Sequence, residues 1–342
     1  MPHPDTIHVH VSRFTPEALV NAIPLNCDQN ESVFNSLFEH VSALPYSILL
    51  DTSGSSKSEG RFNIMAFSPS AVIEAKGDSV ELIDVQTSTR QKLTLPPFEA
   101  VQTHLHARVS NVKLHGNFDT EHLPFIVGVA GMAGYDTGRF YEVMPNIAKD
   151  DYDTPDFTVG LYLCSLIEDT QTGYIYYCSA DNEPLEQLFS SFDNQQSSSA
   201  FKLTSRFESN LSKDAYEVCL DKIHAYLRAG DCYQVNMAQR FSAGFEGNLW
   251  HAYRELRSQN QAPFSAFYQL PQGSIASISP ERFLRVKNGV VETKPIKGTR
   301  PRFKDEAKDA ESAQSLLTAE KDRAENVMIV DLLRNDISKH CK

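Results

Sequence analysis

The residues best equipped for chemistry lie in one short loop, Lys294-Pro295-Ile296-Lys297-Gly298-Thr299-Arg300-Pro301-Arg302. Two prolines fix its backbone, and Gly298 permits a turn or a close approach to a ligand. Lys294, Lys297, Arg300 and Arg302 could grip a carboxylate-bearing substrate, and Thr299 adds a hydroxyl. Lys297, at the centre, is a candidate nucleophile. For that role the amine must be partly neutral. Bringing a lysine from about 10.4 to near 7 takes roughly 4–5 kcal/mol of desolvation or like-charge repulsion, part of which the neighbouring Lys294, Arg300 and Arg302 could supply. The same stretch also reads as a solvated basic loop following a hairpin, and spacing alone leaves both readings open.

Two carboxylate positions accompany it. Glu281, in Ser279-Pro280-Glu281-Arg282-Phe283, sits between two expected strands, where a carboxyl serves as a general acid or base or simply pairs with the adjacent arginine. Glu325 and Asp322 are one helical turn apart in Lys321-Asp322-Arg323-Ala324-Glu325-Asn326. Hard oxygen donors of this kind suit Mg²⁺, although such a pair is also an ordinary charged helix face. Asp331 falls on another part of that helix.

Other chemistries find little support. The 11 histidines form no HExxH spacing, and GxSxG, GxxxxGK[ST] and GxGxxG are absent. A net charge of −12 argues against sequence-independent nucleic-acid binding, which needs clustered cations. The most apolar stretch, 125–134, is too short to span a bilayer. Six scattered cysteines with no CxxC pair read as reduced thiols, and no secretory signal opens the chain, so the expected compartment is cytoplasmic.

The elements that must position these residues are strands in the first half, at 47–50, 63–67, 71–74, 80–85, 125–129, 157–167 and 174–178. A helix after Pro97 carries Phe98, Val101, Leu105 and Val109 on one face. The polar run 191–200 is the expected linker, dividing the chain into 1–190 and 201–342. Beyond it, Ser212 caps a helix that Gly230 closes, with Tyr216, Leu220, Ile223 and Leu227 along its face. Strands follow at 232–241, 264–270 and 275–279. Asn288-Gly289 marks a hairpin between 282–286 and 290–293. A final helix over 320–334 has Met328, Ile329, Leu332 and Leu333 as its buried stripe. Separate helices and antiparallel-looking strands indicate an α+β fold.

Taken in order, five segments resemble the chorismate-binding enzymes: component I of anthranilate synthase and of aminodeoxychorismate synthase, with their isochorismate and salicylate relatives. They are Gly230-Asp231-Cys232-Tyr233-Gln234-Val235-Asn236, Ala262-Pro263-Phe264-Ser265-Ala266-Phe267, Ser279 to Phe283, Pro295 to Arg302, and Asp322 to Asn326 with Asp331 to Asp336. Leu49-Leu50-Asp51-Thr52 and Gly60-Arg61-Phe62-Asn63 look like the family's N-terminal domain. The resemblance implies two largely antiparallel β-sheets packed as a sandwich with helices outside.

Lys297 narrows the resemblance to the aminodeoxychorismate branch, since anthranilate synthases usually carry alanine there. It implies a lysine that attacks ring carbon 2 of chorismate and expels the 4-hydroxyl, with Glu281 as the acid helping that group leave. Ammonia from a glutamine amidotransferase subunit then adds at carbon 4 and expels the lysine, a route serving 4-aminobenzoate and folate synthesis. Thr299 and Gly298 would orient substrate, and Glu325 would hold Mg²⁺. Leu50, Thr52, Arg61, Phe62, Pro263 and Phe264 match a tryptophan pocket in relatives, and are equally ordinary as core residues. Because the family continues well past its DLxRND segment, a C-terminally truncated fragment is expected, inactive as it stands and with the apolar faces of Met328 and Leu332 exposed. Anthranilate synthase component I, and a non-catalytic protein binding tryptophan or a partner, are the competing expectations.

Overall fold

The computed structural model describes residues 6–23, 25, 32–52, 60–147, 149–192 and 199–342. The first elements are β1 (Ile7–Phe14), α1 (Pro16–Ala22), α2 (Val33–Val41), β2 (Ile48–Asp51), β3 (Phe62–Ala66), β4 (Ala71–Lys76), β5 (Ser79–Asp84), β6 (Thr89–Leu93) and α3 (Pro97–His104). Next come β7 (Val112–His115), β8 (Gly128–Ala133), β9 (Phe157–Tyr162), β10 (Cys164–Asp169), β11 (Ile175–Ser179) and α4 (Leu185–Ser190). Four two-residue strands, β12 (Lys202–Leu203), β13 (Glu208–Ser209), β14 (Phe241–Ser242) and β15 (Phe245–Glu246), accompany α5 (Lys213–Ala229) and α6 (Leu249–Gln259). The chain continues through β16 (Phe264–Leu270), β17 (Gly273–Ser279), β18 (Arg285–Lys287), β19 (Val290–Glu292), α7 (Glu306–Thr318) and α8 (Glu320–Ser338).

Two sheets dominate. The larger has eight strands in the order β17-β16-β2-β3-β10-β11-β1-β7, and the smaller five, β6-β5-β4-β9-β8. Every pairing is antiparallel except that of β1 with β7. Ile48, Ala66 and Tyr268 of the larger sheet share one buried cluster with Val72, Ile83 and Tyr162 of the smaller. This apolar seam holds the two sheets face to face. Helices cover the outside. Ala100, Val101 and Leu105 pack on Ile73, Ala75 and Phe157, and Phe38 of α2 meets Phe267 edge-on at 6.1 Å.

The apolar run 157–167 is two strands, not one. β9 ends at Tyr162 in the five-stranded sheet, and β10 starts at Cys164 in the eight-stranded one. The Tyr162 hydroxyl, fully buried, donates to the Tyr46 carbonyl at 2.6 Å and pins this crossing. Periodicity cannot reveal such a switch, because a strand buried on both faces is apolar throughout on either side of it. The expected strand at 125–129 lies instead at Gly128–Ala133. The expected strand at 232–241 is irregular apart from its last residue. In α3, Phe98 is exposed, and Ala100 takes the inward position beside Val101.

The expected break at 191–200 partly escapes description, since 193–198 lie outside the described residues. By compactness the chain forms two units, 1–192 with 256–342, and 193–255. The polar run therefore marks one edge of the second unit, while the strands after it return to the first. Ser265, Ala266, Phe267 and Tyr268 of β16 face Asp51, Leu50, Leu49 and Ile48 of β2 across an antiparallel ladder. Within the second unit, the Ser212 hydroxyl accepts from the Ala215 amide, and Gly230 closes α5 in the left-handed conformation at φ 79°. Among the described residues no helix is long and apolar enough to cross a membrane.

Gly131 of β8 lies flat against β9. A Cβ there would meet the Thr158 carbonyl oxygen and stand 2.6 Å from the Val159 Cα, all of it backbone. Gly131→Ala should therefore cost about 2–3 kcal/mol, read as a lowered urea midpoint at unchanged slope.

Candidate active site

The basic loop and Glu281 meet at the open end of a hairpin. Asn288 (φ 52°) and Gly289 (φ 75°) both take positive φ, the two-residue turn that an Asn-Gly pair favours. The turn sets a register in which Arg285 faces Glu292. Extended outward, that register brings Glu281 opposite Ile296. A Glu281 carboxylate oxygen accepts the Ile296 amide at 2.9 Å, immediately before Lys297. Two further contacts hold the strands together below the ladder: the Thr293 hydroxyl donates to the Phe283 carbonyl at 2.7 Å, and Arg282 pairs with Glu292. The Arg282 guanidinium also lies 5.5 Å from the centre of the Phe264 ring, a cation–π contact that ties this end of the hairpin to β16.

The loop's shape depends on Gly298. Its φ of 77° belongs to the left-handed region, and a Cβ would stand 2.8 Å from Leu316 Cδ1 and 3.0 Å from Asp322 Cγ. Asp322, at the start of α8, accepts from Arg300 at 2.8 Å. Arg302 is held by both oxygens of Asp309, at 2.8 and 2.9 Å. Two of the four cations are thereby neutralised by the helices behind them. Lys294 approaches Glu292 at 3.8 Å. Lys297 and Gly298 are half-buried, and Thr299 and Glu281 are exposed.

The α8 stripe differs from expectation. Ile329 and Leu333 are half-buried, whereas Met328 and Leu332 are exposed. Glu325 is half-buried on the same helix. Its neighbour Asp322 is engaged by Arg300, and the described residues contain no group of three His, Cys, Asp or Glu able to hold a metal ion. These side chains by themselves do not complete a Mg²⁺ site.

The possible tryptophan-pocket residues are close in the fold. Leu50, opposite Ile64 and Ala266, shares with them one face of three adjacent strands. Two-residue periodicity puts Phe62 and Phe264 on that face as well. Half-buried Pro263 precedes Phe264. The buried Thr52 turns its amide and hydroxyl to Asn63 Oδ1, at 2.9 and 3.2 Å. Arg61 is committed elsewhere, donating to both oxygens of the buried Asp169 at 3.0 and 2.8 Å, with its guanidinium over the Phe62 ring. Burial alone would raise the Asp169 pKa, but the Arg61, Gln171 and Thr172 hydrogen bonds outweigh it and hold the carboxyl low.

Sequence reading missed the polar groups on the opposite face. Asp51, wholly buried, pairs with Arg257 at 2.7 Å, and Asn63 Nδ2 donates to Glu168 at 2.6 Å. The available signal was a carboxylate inside an apolar strand, as in Leu49-Leu50-Asp51 and Leu166-Ile167-Glu168-Asp169, since buried charges require partners.

A model of the chorismate binding enzymes matches residues 49–342. The chain belongs to the chorismate-binding family. Within that family it is 38% identical to aminodeoxychorismate synthase component 1 of Klebsiella aerogenes, over 93% of this chain and 68% of the relative. It is also 38% identical to the Escherichia coli protein of the same name, over 88% of this chain and 65% of that one. The chain thus spans about two thirds of the length of these curated relatives. Anthranilate synthase component I from Streptococcus pneumoniae superposes with a TM-score of 0.66 at 27% identity, covering 84% of this chain and 64% of that structure. This match places the chain's α+β architecture with that of the Streptococcus pneumoniae enzyme.

Two outcomes follow for the site and its surroundings. Gly298→Ala should cost about 1–3 kcal/mol of local order, seen as faster limited proteolysis within 295–302. Glu168 behaves oppositely to Asp169. Burial raises its pKa, and Asp51 adds to this against the pull of Asn63 and Arg257. Its contribution to stability is therefore full below the ordinary glutamate range and lost as pH rises through the raised value. Glu168→Gln should accordingly gain on the wild type as pH is taken from acid to neutral, measured by urea midpoints across that range.

Proposed function

We propose that this chain aminates chorismate as component I of an aminodeoxychorismate synthase, with Lys297 as covalent nucleophile. The observation that carries this reading is the Glu281–Ile296 hydrogen bond, which holds a carboxyl beside the lysine on a loop already shaped by Gly298 and Asp322. The names of the 38% identical relatives support the same branch. In the first step the Lys297 amine, with its lone pair free, attacks ring carbon 2, both ring double bonds shift by one position (carbons 1–2 to 1–6, and 5–6 to 4–5), and the carbon 4–oxygen bond breaks. Glu281 in its acid form gives the departing oxygen its proton, so water leaves. In the second step ammonia attacks carbon 4, both double bonds return, and the lysine leaves carbon 2 as the free amine to give 4-amino-4-deoxychorismate.

The loop's composition suits the substrate. Chorismate is a dianion, and four basic residues within 294–302 concentrate positive charge on an otherwise acidic protein. Thr299 and the Gly298 backbone would orient the ring. Mg²⁺, where bound beside Glu325, would offset the substrate carboxylate. Ammonia would come from a glutamine amidotransferase partner. The face formed by Leu50, Phe62 and Phe264 would accept a flat apolar ligand such as tryptophan, with Thr52 and Pro263 at its edge. Activity is proposed for the cytoplasm, in the supply of 4-aminobenzoate for folate.

Anthranilate synthase is the second reading, favoured by the fold match to the Streptococcus pneumoniae enzyme. Lys297→Ala separates the two. In the aminodeoxychorismate reading the variant loses at least about 100-fold in ammonia-dependent amination, the scale of a lost nucleophile. Intact-mass spectrometry of the wild type with chorismate should also show a gain of chorismate less one water, absent in the variant. Full activity in Lys297→Ala, with anthranilate as the product, would exclude the covalent route.

A further inference from the structure

The eight-stranded sheet ends in a strand with an unusual attachment. β7 has four residues and, among the described residues, pairs only with β1 and is the one strand of the sheet that runs parallel to its neighbour. His10 faces His115 across this ladder, and His8 faces Lys113. Alternation within each strand puts all four basic side chains on one face. His8 Nδ1 and His115 Nε2 are 2.8 Å apart. The His115 ring lies within 24° of parallel to the other two imidazoles, with centroids 5.0 Å from His8 and 5.1 Å from His10.

We propose that β7 is a proton-released edge strand, held by the imidazole–imidazole hydrogen bond between His8 and His115 and loosened when that pair is protonated. The 2.8 Å contact is an N–H···N hydrogen bond, so one ring must offer a lone pair to the other. Protonating that nitrogen removes the acceptor and sets two imidazolium rings against each other. Lys113 on the same face adds a fixed positive charge.

The other groups facing the stack do not restore the balance at β7. On β11, Ser179 lies opposite His10, with Tyr177 two residues along on the same side. Glu183 and Glu186, before and within α4, line a cleft with His10, Ser12 and Tyr177. These carboxylates can accommodate an imidazolium at His10, on the inner side of β1. The charged groups acting on His115 are His10, His8 and Lys113, all basic. They depress its pKa together with burial, the largest cause. A base with a depressed folded pKa stabilises its structure above the ordinary imidazole range and withdraws that support as pH falls. Loss of β7 would uncover the backbone edge of β1, a template for pairing with another strand.

Hydrogen–deuterium exchange of the whole chain at about pH 8 and about pH 5, corrected for intrinsic exchange, tests this directly. Protection of the amides in 112–115 should fall at least about tenfold at the lower pH, the scale of one lost hydrogen bond. The amides of β4 and β5 in the other sheet should hold. The double variant His8→Gln, His115→Gln should lose the pH dependence. A wild-type change under about twofold, or an equal loss in the variant, would overturn the proposal. Imidazole titration of the wild type by NMR guards against a variant that does not fold. The His8 and His115 signals should titrate together with the loss of protection, and titration without that loss would also overturn it.

Discussion

The pairing of β16 with β2 is the constraint on which the site depends. Ser265 opposite Asp51 through Tyr268 opposite Ile48 carries the chain back into the eight-stranded sheet after residue 256. Everything that bears the proposed chemistry follows from that return. β17 is zipped to β16 from Phe264–Ser279 to Leu270–Gly273, so the strand end that delivers Glu281 is placed by the same ladder. The buried pair Asp51–Arg257 sits at its margin. Two charges removed from water are costly unless well matched, and here the two meet at 2.7 Å.

From that anchor the loop is shaped in two stages. The Asn-Gly hairpin brings Glu281 and Ile296 opposite one another, which is a matter of local backbone geometry. The helices α7 and α8 then press on Gly298 from behind and draw Arg300 and Arg302 aside through Asp322 and Asp309. The result is a loop of four cations in which charge is thinned around Lys297. A reactive lysine benefits from residual like charge, whereas two fully unpaired arginines beside it would also compete for the substrate carboxylates.

The eight-stranded sheet keeps its polar groups in two distinct regimes. Asp169 is held ionised by a two-point arginine contact and extra donors. Glu168, its neighbour in sequence, faces the other way and is pushed toward its neutral form. Successive residues of a strand point to opposite faces, so adjacent carboxylates of one strand can occupy opposite electrostatic environments. The edge of the same sheet repeats the lesson with bases, where stacking and parallel register crowd three imidazoles together.

Much of this protein was legible in its sequence because the deciding interactions are local. The Ser212 cap and Gly230 stop and the Asn288-Gly289 turn rest on side chains and backbone acting locally, and the strands at 47–50, 63–67, 71–74 and 80–85 announced themselves as short apolar runs split by turn residues. The family was legible because Pro295 to Arg302 and its companion segments are short and ordered. What lay beyond the sequence was set by contacts between distant residues. The switch of sheets at Leu163, the membership of β16 in the first sheet, Phe98 facing solvent and the buried Asp51–Arg257 pair all depend on which surfaces meet. Likewise, the partners of Arg61, Arg300 and Arg302 could not be read from spacing, since each carboxylate arrives from a separate element. Residue types and local periodicity determined the elements and the chemical repertoire, whereas the burial of one element against another decided which charges stand free.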